Sequence, residues 1–182
     1  STGSGVAWEA AGGGVTFKEG GTNFTNSLMV GDDATGTLDN AQKNTALGID
    51  VFAALTTGDN NVAVGFEALK ANTTGSGNTS LGGSSLVANT TGASNVAVGT
   101  DTMGSNTEGA TNTAVGLSAL YANTTGSNNI AIGHDSLRFN TTASGNTAVG
   151  KKALYSTTTS GNNTAVGYQA GDAITTGDQG TY

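Results

Sequence analysis

The sequence has no cysteine and no proline among its 182 residues, and it has a single histidine and a single tryptophan. Without cysteine there is no disulfide scaffold and no thiolate metal site. His134 alone supplies no material for a His-rich metal centre or a conventional histidine triad within one chain. Hydrophobic residues other than glycine are 35% and aromatics 5%. No apolar run approaches the ~18 residues of a membrane-spanning helix. Six basic residues against thirteen acidic ones give a net charge of −7. So few cations, spread along the chain, make no phosphate-tracking stripe, and no nucleic-acid partner is expected. Glycine, with 30 residues, threonine and asparagine dominate what is there. A collagen helix is excluded by the missing Gly-X-Y period. Evenly spaced aliphatics without proline argue against disorder.

The order lies in a repeat. Asn44-Thr45-Ala46-Leu47-Gly48 returns as Asn61-Val62-Ala63-Val64-Gly65, and again from Asn78, Asn95, Asn112, Asn129, Asn146 and Asn163. The step is always 17 residues, without insertion or deletion, and a weaker copy, Ser27-Leu28-Met29-Val30-Gly31, sits one period earlier. Position three is small. Position four is aliphatic: Leu47, Val64, Leu81, Val98, Val115, Ile132, Val149 and Val166. Position five is glycine: Gly31, Gly48, Gly65, Gly82, Gly99, Gly116, Gly133, Gly150 and Gly167. Position nine is large and apolar in Phe52, Leu69, Leu86, Met103, Leu120, Leu137 and Leu154, and Gly171 breaks that column. A polar cluster such as Asn72-Thr73-Thr74-Gly75 closes the unit.

Each column has a physical meaning. The first five residues read as a short strand with positions two and four on one face and three on the other. The glycine marks a corner, where φ is positive or another backbone comes close. The Asn-Thr-Thr-Gly cluster marks a second turn. One unit is therefore one coil: strand, corner, a second short strand around the leucine, corner. Two glycines and an Asn-Thr-Thr run leave room for one helical turn at most. Stacked coils place Asn on Asn and Thr on Thr, a ladder that satisfies buried amides and hydroxyls. The fold expected is all-β, a parallel β-solenoid with a core of the position-four aliphatics and of Leu69, Leu86, Leu120, Leu137 and Leu154. About two large apolar side chains per coil bury little against the ordering of 17 residues. The small-residue face is accordingly expected to pack against other copies, three around an axis.

The Asn-Thr-Ala-Val-Gly … Ala-Leu … Asn-Thr-Thr-Gly unit resembles the head repeats of YadA-like trimeric autotransporter adhesins. It resembles more closely the repeat arrays of bacteriophage tail fibres, which often precede an endosialidase-type intramolecular chaperone. The resemblance covers residues 44–182, and the unit is longer than that of the YadA head. It implies a left-handed parallel β-roll, a homotrimer and an extracellular fibre. The function it implies is a structural and adhesive shaft module of a virion tail fibre engaged in host attachment, with a bacterial surface adhesin head as the alternative. The partners implied are the chain itself and a host surface glycan or protein.

The organisation expected is a connector and cap over residues 1–26, with Trp8 as a packing anchor, and a degenerate first coil over 27–43. Eight repeats over 44–179 follow, and 180–182 start a further one. Starting at Ser1 and stopping within a repeat, the chain reads as a segment of a longer polypeptide. Position six, with Ile49, Phe66, His134 and Tyr168, tolerates every residue type and is expected to face solvent or a groove between chains. Position seven mixes Asp50, Glu67, Asp101 and Asp135 with Ser84, Ser118, Lys152 and Gln169, which specifies no carboxylate pair. No catalytic residue, metal or cofactor is expected, and no enzymatic activity. Sequons such as Asn72-Thr73-Thr74 are read as ladder residues. Tyr121, Arg138 and Tyr155 share position ten, so they stack on successive coils as a contact stripe for a glycan or a neighbouring chain. An ice-binding face is disfavoured because Thr73 and Thr74 are adjacent in a turn and point apart. A fibre-borne depolymerase would need converging carboxylates in a groove.

Overall fold

The structure is a computed structural model that describes residues 16–19, 28–31, 41–177 and 179–182. The expectation for Trp8 lies outside the described residues. The strands are β1 (Thr16–Glu19), β2 (Leu28–Gly31), β3 (Thr45–Leu47), β4 (Val62–Val64), β5 (Thr79–Leu81), β6 (Val96–Val98), β7 (Thr113–Val115), β8 (Ile130–Ile132), β9 (Thr147–Val149) and β10 (Thr164–Val166). The described residues contain no helix.

All ten strands form one sheet in chain order. β1 runs antiparallel to β2, with Thr16 opposite Gly31, and so pairs the outer edge of β2. Every later pair is parallel, from Leu28 opposite Thr45 to Thr147 opposite Thr164, one 17-residue period apart each time. Past β10, Gly180 N–H donates to Asn163 Oδ1 at 2.8 Å and Thr181 bridges Thr164, so residues 180–182 stand in the first three positions of another coil.

Hydrogen bonds between coils run around the whole turn. Val62 N–H donates to Asn78 O (2.8 Å) and Leu69 N–H to Ser85 O (3.1 Å), both in the coil after. Gly65 N–H donates to Leu47 O (2.8 Å) and Gly77 N–H to Asp59 O (2.9 Å), both in the coil before. Proline would delete one of these donors at most positions of the coil, in keeping with its absence.

The interior is narrow and half polar. Position nine supplies its large side chains, Phe52, Leu69, Leu86, Met103, Leu120, Leu137 and Leu154, all fully buried. Opposite them lie the small residues of position three, from Ala46 to Ala165, also buried. Two columns of buried asparagine complete the core. In the first, Asn61 N–H donates to Asn44 Oδ1 (2.9 Å) while Asn61 Nδ2 reaches Gly75 O (3.0 Å), and the pattern repeats to Asn163. In the second, Asn89, Asn106, Asn123 and Asn140 each donate Nδ2 to the amide oxygen one coil before, as Asn89 Nδ2 to Asn72 Oδ1 at 2.9 Å. Thr157 ends this column, donating its hydroxyl to Ile174 O instead, and Asn140 Oδ1 is left buried without a hydrogen-bond donor.

Three expectations are corrected. The position-four aliphatics Leu47, Val64, Leu81, Val98, Val115, Ile132, Val149 and Val166 are not core: they are exposed or half-buried, with Val166 64% exposed. A three-residue strand turns only its middle side chain inward, and the facing leucine leaves room there for Ala or Ser alone. The small residue is therefore demanded by the thickness of the coil, and the small-residue face is closed to other copies. The second strand is also absent. Around each leucine the chain makes turns, with positive φ at position seven (Glu67, 57°) and position nine (Leu69, 51°; Leu120, 54°). A left-handed non-glycine residue costs about 1–2 kcal/mol, which burying a leucine, at about 1.5–3 kcal/mol, offsets. Gly171, the one glycine in that column, keeps the same conformation at 61°.

Leu120→Ala is expected to lower stability by about 2–5 kcal/mol, since the coils above and below cannot collapse into the gap. Urea unfolding reads it as a lower midpoint at unchanged slope.

Candidate functional site

Two surfaces stand out from the polar exterior. The first is the outward face of β3–β10. Positions two and four point outward, and Leu47, Val62, Leu81, Val96, Ile130, Ile132 and Val166 are exposed on it. Eight strands at ~4.8 Å spacing make this strip about 34 Å long. Position six borders it, with Ile49, Phe66, Leu117 and Tyr168 exposed.

The second is an edge formed where position seven meets positions ten and eleven across each turn. In the coil before the patch proper, position ten is Gly104, and the Tyr121 ring lies so close to it that a Cβ there would stand 2.8 Å from Tyr121 Cε2. The Arg138 guanidinium sits over the Tyr121 ring at 5.4 Å and over Phe139 at 5.9 Å. Asp135 accepts a hydrogen bond from Arg138 Nη1, which holds the guanidinium above its ordinary pKa against the opposing effect of partial burial. Asp135 also faces His134 Nε2 at 3.2 Å. Phe139 meets Tyr155 edge-on at 5.0 Å between centroids, and Lys152 Nζ lies 5.0 Å over the Tyr155 ring.

The position-ten residues thus share an edge, but the stacking is not a simple column. Arg138 covers Tyr121, whereas Tyr155 packs on Phe139. Asp135, Phe139 and Lys152 belong to this edge and were not part of the stripe read from the sequence. The signal for Asp135 and Lys152 was the three-residue spacing from position seven to position ten, which also pairs Lys70 with Glu67 at 2.7 Å earlier in the chain. Lys70 additionally meets Asp50 at 3.2 Å, and its ammonium is held above the ordinary lysine range, chiefly by the Glu67 hydrogen bond and then by Asp50.

The remaining sequence features are placed as follows. The corner glycines Gly48, Gly65, Gly82, Gly99, Gly116, Gly133, Gly150 and Gly167 have φ between 129° and 141°, and Gly31 is the last residue of β2. Asn72 of the sequon is fully buried and closes its turn by donating to Gly75 O at 2.9 Å. Thr73 Oγ1 donates to Thr90 O at 3.1 Å, and the same bond links Thr90 to Thr107 and Thr107 to Thr124. Among the described residues no three His, Asp or Glu side chains converge as metal ligands would, and no helix is long and apolar enough to cross a membrane.

Comparison with known protein families, with curated proteins and with solved structures gives no match for this chain.

Proposed function

We propose that the chain is a structural and adhesive shaft module of an extracellular trimeric fibre, a bacteriophage tail fibre engaged in host attachment. The observation that carries this reading is the exposed apolar face of β3–β10. Contiguous apolar strips of this extent mark interaction surfaces. A strip that repeats with every coil suits a partner with the same repeat, and the partner that always has it is another copy of the chain. Three copies around a common axis close all three strips in a cyclic assembly. The resemblance of the repeat to tail-fibre arrays supports three chains and left-handed coils. A rod whose own hydrogen bonds run from coil to coil suits a mechanical, non-enzymatic role.

Aspartate on the strip tests the assembly. The double variant Val98→Asp/Ile132→Asp is expected to sediment as a single chain while keeping its β-type circular dichroism, because both side chains point away from the solenoid interior. An assembled variant of unchanged mass would remove the strip from the interface. Antibodies against residues 41–182 test the location. Decoration of tail fibres on virions carrying the chain is expected, and decoration of a bacterial outer surface would replace the tail-fibre reading with that of a surface adhesin.

A further inference from the structure

We propose that the edge built from Tyr121, Asp135, Arg138, Phe139, Lys152 and Tyr155 is a binding site for an anionic saccharide. The proposal deepens the attachment role above and rests on it for its biological use, while the site itself stands on the following residues.

The first observation is concentration of charge. The chain carries net −7, yet three of its six cations, Arg138, Lys151 and Lys152, and its only histidine fall within residues 134–152. Two adjacent coils hold them. Lys151 is exposed, and His134 and Lys152 are half-buried. Asp135 is the one carboxylate within the cluster, and it is largely covered, with its side chain only 9% exposed. Asp172, at position ten of the coil after Tyr155, bounds the patch. An acidic ligand meets an excess of positive charge at this place on an otherwise acidic rod.

The second observation is concentration of aromatic surface. Positions ten and eleven carry Ala53-Ala54, Lys70-Ala71, Val87-Ala88 and Gly104-Ser105 in the earlier coils. In the three coils of the patch they carry Tyr121, Arg138-Phe139 and Tyr155. These side chains do not fill the core, which Leu120, Leu137 and Leu154 of position nine already fill in these three coils. Tyr121 and Phe139 are 37% and 43% exposed. The exposed parts of these rings, flanked by Arg138 and Lys152, offer apolar contact to the C–H groups of a pyranose, and the phenols of Tyr121 and Tyr155 offer hydrogen bonds to sugar hydroxyls.

The third observation is pre-organisation. Asp135 fixes the Arg138 guanidinium, the Tyr121 ring is seated on Gly104, and Phe139 and Tyr155 brace each other edge-to-face. Holding these groups before the ligand arrives lowers the entropy lost on binding. The rings give saccharide chemistry, and Arg138 and Lys152 give selectivity for a carboxylate or phosphate on it.

Calorimetric titration of the 182-residue chain tests this, with tetragalacturonate, tetrameric α2,8-linked sialic acid, a phosphodiester-linked tetrasaccharide and neutral galactotetraose as the probes. Saturable binding of at least one acidic probe is expected, about tenfold or more tighter than the neutral one, and the acidic arms separate carboxylate from phosphate. Binding should weaken as salt shortens the Debye length. Arg138→Gln/Lys152→Gln should lose about tenfold or more in affinity, the scale of one charge-assisted hydrogen bond. Tyr155→Ser should lose affinity as well, with the melting temperature of both variants near that of the parent. Failure of every acidic probe, equal binding of galactotetraose, or unchanged affinity in the charge variant would each overturn the site. The chain mass, measured on the same sample, reports separately on the fibre reading: a trimer that binds no acidic probe refutes the site alone.

Discussion

Replacing Gly116 with alanine is expected to unfold the middle of the solenoid. Gly116 has φ 130°, a conformation L-residues rarely adopt, and a Cβ there would stand 2.7 Å from both the carbonyl carbon and oxygen of Gly133. The clash is with backbone, so no side chain can swing aside. The carbonyl cannot retreat either, because Gly116 N–H donates to Val98 O and Gly133 N–H to Val115 O, at 2.8 and 2.7 Å, which locks three coils at one spacing. Strain of about 1–3 kcal/mol for the backbone alone adds to the lost inter-coil bonds, and a total loss above about 3 kcal/mol is expected. In a one-dimensional stack a broken coil also uncouples its neighbours, so urea unfolding should lose cooperativity. Gly83→Ala is the control. Nothing lies within 4 Å of a Cβ at Gly83 and its φ is not positive. That variant should be neutral or more stable by about 0.4–1 kcal/mol, through the unfolded state.

Asn112→Ala should cost nearly as much, for a different reason. Asn112 Oδ1 accepts from Asn129 N–H at 2.9 Å and from Asn129 Nδ2 at 3.1 Å. Its own Nδ2 donates to Gly126 O at 2.9 Å and to Asn95 Oδ1 at 3.2 Å. All of these groups are buried, so truncation strands the Asn129 backbone donor away from water and leaves a void the size of an amide. A buried unpaired group costs about 1–3 kcal/mol, and with the void a loss of about 3 kcal/mol is expected, read as a lower urea midpoint at unchanged slope. Asn112→Asp separates packing from donation. It keeps the shape, loses the Nδ2 donor and buries a carboxylate, and it should be destabilised at neutral pH and partly recover in acid as the carboxyl protonates.

The period, register and asparagine ladders were legible in the sequence because each coil must satisfy the same backbone and amide bonds as the one beneath it. A column of Asn with no exceptions states that requirement directly. The direction of the strand was not legible. Val-Ala-Val reads as large residues inward and small residue outward, the usual rule for a sheet over a core. That rule fails because the interior is one leucine deep and is filled from the opposite side. Ser80 carried the sign of this. It is the one polar residue of position three, and it bonds Ser85 of position eight inside the same coil. The left-handed conformation at Leu69 and its counterparts was hidden as well, since leucine gives no local signal for positive φ. Gly171 in that column, and the aspartates at position seven, which tolerate such φ values, were the traces it left. At the aromatic edge the sequence gave up position ten, but which neighbours Tyr121, Arg138 and Tyr155 meet depends on how the turn folds positions seven and eleven around them.

The proposed assembly rests on one surface, the outward strip of β3–β10, and one measurement tests it most directly. Sedimentation equilibrium of the purified chain across a range of concentrations should give a species of three times the 17.7 kDa chain mass. A single species at the mass of one chain throughout that range would contradict the account, for it would mean that the exposed apolar strip is stable in water without a partner.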